Sequence, residues 1–78
     1  MLDNLIEDVN YEFDEYVVAK YKKGILYLTD RRVGRYSDFE TLEDSLQDVL
    51  TYITHNYNVD LDVLDINGRT VALEVITY

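Results

Sequence analysis

The chain has no cysteine, no proline and no tryptophan, only three glycines, and only seven basic residues against sixteen acidic ones in 78 positions. Each shortage excludes something. Without cysteine there is no disulfide framework, no thiol nucleophile and no cysteine-ligated zinc. Without proline, and with so little glycine, no stretch reads as a linker, so residues 1–78 are expected to form a single domain. No apolar run approaches the ~18 residues of a membrane-spanning helix. The opening MLDNLIEDV is acidic where a signal peptide would be basic. A cytoplasmic protein without a membrane partner is the expectation. Apolar residues nevertheless make up 47% of the chain, enough for a core and against general disorder.

What is plentiful is negative charge and tyrosine. The formal net charge is −9, and it is segregated. Lys20, Lys22, Lys23, Arg31, Arg32 and Arg35 crowd one window with a single acid, Asp30, for a local charge of +5. The rest of the chain holds fifteen acids and Arg69, for −14. So acidic a surface repels nucleic acid and anionic lipid and attracts basic proteins. Acids of this density also serve simply to keep a small domain soluble. Eight tyrosines supply interface side chains of large area and low entropy cost.

The clearest element is a helix over residues 42–57. Leu42, Leu46, Val49, Leu50, Ile53 and Tyr57 fall on one stripe at helical spacing. Thr41 with Asp44 makes a capping-box-like start, and Ser37 with Glu40 is a rival start four residues earlier. After the helix, VDLDVLDINGRTVALEVITY reads as a hairpin. A three-residue loop Ile66-Asn67-Gly68 sets Val63 opposite Val71, Leu61 opposite Leu73 and Val59 opposite Val75, which makes one face wholly apolar. The strand-forming end VALEVITY is aggregation-prone at an open edge, so it belongs in the sheet centre or under another subunit, and a homodimer is one expectation.

The first third has two readings. Leu2, Leu5, Ile6, Val9, Phe13, Tyr16 and Val17 keep helical spacing, which allows one long helix. The preferred reading is a short helix near 2–9 followed by a hairpin with the loop Lys22-Lys23-Gly24, pairing Val18 with Leu28 and Ala19 with Tyr27. The expected architecture is therefore α+β: a four-stranded antiparallel sheet of two hairpins, one main helix packed on one face, and a short N-terminal helix.

No chemistry-bearing constellation emerges. An EF-hand register with Gly68 at position six places Val63, which has no ligand oxygen, at position one. His55 is the only histidine and reads as a surface residue late in the helix. No glycine loop cradles phosphate, and Ser37 and Ser45 have no nucleophile context. The expectation is a protein that is not an enzyme and needs no cofactor or metal. The residues that remain exposed once the apolar stripe is buried are Glu40, Glu43, Asp44 and Asp48 on the helix, with Glu12, Asp14 and Glu15 before it. These are the candidate partner-binding residues, presented to a basic protein.

Small size, strong acidity, a helix on an antiparallel sheet and no catalytic set together resemble small phage-encoded inhibitors of the anti-CRISPR and DNA-mimic class. That resemblance implies an inhibitor whose carboxylates imitate phosphates and which occupies the basic nucleic-acid-binding surface of a host protein, without binding nucleic acid directly. Residues 16–57, with Thr41-Leu42-Glu43-Asp44 at the helix start, are also similar to the strand-strand-helix of HicB-type antitoxins. This second resemblance implies a self-associating regulatory module.

Overall fold

The computed structural model describes residues 2–32, 39–67 and 70–76. Five strands and one helix follow in the order β1 (Asn10–Glu12), β2 (Val17–Lys22), β3 (Ile25–Asp30), α1 (Phe39–Asn56), β4 (Asp60–Asn67) and β5 (Thr70–Ile76). The strands form one open antiparallel sheet in the order β1-β2-β3-β5-β4. The architecture is α+β, with five strands where the sequence predicts four. The extra strand is β1, which pairs Tyr11 with Ala19 and forms one edge.

Period-two alternation in β2 and β3 turns Val17, Ala19, Leu26 and Leu28 inward, where each is at most 1% exposed. They meet Val71 and Leu73 of β5 and the helix residues Leu42, Leu46 and Ile53 in a single buried cluster. The helical stripe is therefore the one read from the sequence. Val49, Leu50 and Tyr57 pack at its margin. The helix begins at Phe39, nearer the rival Ser37/Glu40 start, and Tyr57 lies just past its end, with its backbone N–H donating to Ile53 O at 2.9 Å. Thr41, expected as the N-cap, therefore lies inside the helix, two residues past its first position, and Ser37 lies outside the described residues.

Both hairpin registers differ from expectation. In the first, Lys22 pairs with Ile25, so the loop is Lys23-Gly24 alone, both at positive φ (51° and 79°). That two-residue turn matches the strand twist. It puts Ala19 opposite Leu28 and Val18 opposite Thr29, so the buried set is Val17, Ala19, Leu26 and Leu28. In the second hairpin, Asn67 pairs with Thr70, and Ile66 and Asn67 belong to the strand, not to a loop. Residues 68 and 69 lie outside the described set. The register then shifts between Val63 and Asp65, leaving Leu64 as an extra, half-exposed residue. Beyond this bulge Val63 faces Leu73 and Leu61 faces Val75. The requirement for one apolar face holds, but a mid-strand insertion meets it where a longer loop was expected. β5 lies between β3 and β4, so the aggregation-prone terminal segment is central over residues 70–76.

The expected N-terminal helix is absent over residues 2–9. Asp8 sits at φ 62°, which no continuing right-handed helix accommodates. An isolated helix this short is marginal, and the extended segment instead answers open backbone groups elsewhere. Asp3 N–H donates to Asn56 O, one of the orphan carbonyls at the end of α1, and Asn58 N–H donates back to Asp3 O at 2.8 Å. Asp8 N–H donates to Tyr21 O at 2.9 Å.

Candidate functional site

The helix lies across one sheet face and leaves a groove along each flank. One runs between α1 and the β1 edge and has a volume of about 460 Å³. Its lining joins Tyr11, Glu12, Phe13 and Asp14 of the N-terminal strand and turn to Asp48, Tyr52 and Tyr57 around the helix. Two edge-to-face ring pairs tie the walls together: Tyr11 with Tyr57 at 5.8 Å and Phe13 with Tyr52 at 5.7 Å. Tyr52 is 51% exposed, so its ring is open to an incoming group. Burial, then the neighbouring Tyr11 and Tyr52 phenols and Asp3, hold the Tyr57 phenol above its ordinary pKa.

The acidic members are placed by local structure. Asp14 lies in the bend after β1: its Oδ1 accepts from the backbone N–H groups of Tyr16 (2.7 Å) and Val17 (2.8 Å), an Asx turn that redirects the chain into β2. Phe13 N–H, donating to Val17 O at 3.1 Å, closes the same corner. Asp48 is exposed on the helix four residues before Tyr52, hence on the same flank. Among the described residues, no ion pair joins Glu12, Asp14, Glu15, Glu43, Asp44 or Asp48 to a cation.

Of the residues singled out from the sequence, the structure brings Glu12, Asp14 and Asp48 to one groove and leaves the others apart. Glu15 is exposed in the bend after Asp14, and Asp44 is exposed on the crest of the helix. Glu43 lies on the opposite flank, because five residues at about 100° each carry it some 140° from Asp48. There it lines a second groove, of about 340 Å³, along the β4 edge with Gln47, Thr54, Leu61 and Val63. Glu40 lies in the first turn of α1; its side chain is not among those described. The reading of Glu43, Asp44 and Asp48 as one face is thereby corrected to a crest with two acidic flanks.

Sequence reasoning missed the rings as part of the site. Tyr11 lies in β1 and Phe13 just after it, in a segment the sequence left without an assigned element, so their convergence with Tyr52 carried no local signal. Chemically, a groove with acidic residues in its lining and four aromatic rings suits a guanidinium or ammonium group: the acids supply charge and the rings supply cation–π attraction. Among the described residues no three His, Asp or Glu side chains come together as metal ligands. No helix is long and apolar enough to cross a membrane. Comparison with protein-family models, with curated proteins and with solved structures gave no match.

Proposed function

We propose that the protein is a small acidic inhibitor that docks through the α1/β1 flank onto a basic, nucleic-acid-binding surface of another protein and blocks it by occupancy, with no reaction or cofactor of its own. The observation that carries this reading is the convergence of Glu12, Asp14 and Asp48, none of them ion-paired among the described residues, on a groove lined by Tyr11, Phe13, Tyr52 and Tyr57. Half-buried rings with acidic residues around them make a recognition surface for arginine and lysine side chains, the groups that line nucleic-acid clefts. The net charge of −9 adds long-range attraction to such a surface. The compositional resemblance to DNA-mimic and anti-CRISPR inhibitors supports the same reading.

The test is a comparison of wild-type chain with the double variant Glu12→Lys/Asp48→Lys as bait in a bacterial lysate, followed by a nucleic-acid-binding assay on what is captured. The reading expects a captured protein whose DNA or RNA binding is inhibited by the wild type and restored when the double variant replaces it. Capture that survives the double reversal, or a captured protein whose nucleic-acid binding is unaffected, overturns it.

A further inference from the structure

The sheet face turned away from the helix has its own charge layout. With Val17, Ala19, Leu26 and Leu28 inward, alternation sends Lys20, Lys22, Ile25 and Tyr27 to the other side, and Glu74 likewise on β5. The ladder aligns Lys22 with Ile25, Ile25 with Glu74, and Glu74 with Asp62, so one row crosses four strands from positive through apolar to doubly negative. The next row sets Lys20 beside Tyr27, which is 41% exposed, and Tyr27 beside Ala72. Among the described residues no helix covers this side, and none of Lys20, Lys22, Asp62 and Glu74 is in an ion pair.

Asp62 and Glu74 present like charges directly opposite each other, an arrangement that weakens an isolated sheet. At ~4.8 Å between strands, Lys22 stands roughly 10 Å from Glu74, too far to offset it within the chain. We propose that this face is closed by a second copy of the chain. A two-fold axis running along β3 between two stacked faces lays β2 of each copy over β5 of the other. Lys22 then comes over Glu74 of the second copy with Asp62 beside it, and Ile25 and Tyr27 meet their own counterparts in an apolar centre. The face measures about 20 by 20 Å, so the pair buries roughly 800 Å² in plan, below even the ~1,200 Å² lower end of standard interfaces. The dimer is accordingly weak and concentration-dependent. It uses the side of the molecule opposite the aromatic groove, so this inference and the proposed function stand or fall separately.

Each copy carries −9, so the copies repel at very low salt. Near 0.15 M the screening length is about 8 Å, which suppresses distant repulsion and spares pairs in contact. Sedimentation velocity over a concentration series at that salt is the test, with circular dichroism to confirm the fold. The wild type is expected to dimerise as concentration rises. Glu74→Lys reduces the net negative charge and removes a like-charge pair, so generic repulsion and folding both predict no loss. The interface predicts that it weakens the dimer roughly tenfold, as does Lys22→Glu. The double variant Lys22→Glu/Glu74→Lys is expected to restore it. A monomer at every concentration, a dimer indifferent to either single reversal, a double variant that fails to recover, or an open-ended assembly overturns the proposal.

Discussion

Asp30 is the one buried charged side chain among the described residues, with no exposure, at the inward-facing end of β3 opposite Val17. Its carboxylate is held by the Arg32 guanidinium at 3.0 Å and 3.2 Å from Nε and by the Arg32 backbone N–H at 2.9 Å. The guanidinium in turn lies 5.3 Å over the Tyr16 ring. Burying a carboxylate is costly unless charged hydrogen bonds compensate it, so part of the basic window serves the fold. Asp30→Ala is expected to lower stability by about 2–3 kcal/mol in urea unfolding, the range for lost hydrogen bonds to a charged group. A second residue-level expectation concerns alkaline pH. The folded-state pKa of Tyr57 is raised, chiefly by burial. Its stabilising contribution is therefore complete below the unfolded value near 10 and is lost as pH rises through the folded value. Between those two values the melting temperature should fall less steeply with pH for Tyr57→Phe than for the wild type. An equal slope would remove Tyr57 from the account.

At the scale of elements, the helix was legible because Leu42, Leu46 and Ile53 repeat at a period that nothing else in the chain competes with. Strand identity was legible as well, since Val59, Leu61, Val63, Val71, Leu73 and Val75 all pack against the core as their alternation implies. Register was not, because two different devices restore an apolar face: loop length and a bulge. Residue types alone do not reveal that Leu64 is the extra residue. The N-terminal segment misled for a related reason. Leu2, Ile6 and Val9 keep helical spacing yet are 47%, 61% and 40% exposed, and the backbone bonds to Asn56 and Tyr21 outweighed the pattern. The first turn offers a direct check. Lys23 occupies a left-handed position that favours asparagine or glycine. Lys23→Asn keeps the backbone N–H that donates to Glu7 Oε1 at 2.6 Å and is expected to stabilise the fold by up to about 1 kcal/mol. A destabilisation in denaturant titration would contradict the turn assignment.

For the whole molecule, the excess of carboxylates foretold an acidic surface, but not its division. Glu12 and Asp14 had to be carried to Asp48 by the pairing of β1 with β2 and by the crossing of the helix, neither of which leaves a mark in local sequence. The result is a charge-segregated body. One side has a helix crest between two acidic grooves, the larger lined with rings, and the other has a sheet face graded from lysine to carboxylate. The central claim is that the ring-lined groove recognises cationic side chains beyond what net charge alone provides. It is tested most directly by titrating a short oligoarginine peptide into isotope-labelled protein and following amide shifts. The wild type is compared with Glu12→Lys/Asp48→Lys and with Asp62→Lys/Glu74→Lys, which has the same net charge. The account predicts shifts centred on Tyr11, Phe13, Tyr52 and Tyr57, and an affinity about tenfold lower for the groove variant than for its charge-matched control. Equal affinities for the two variants, or shifts spread over every acidic surface alike, would contradict it.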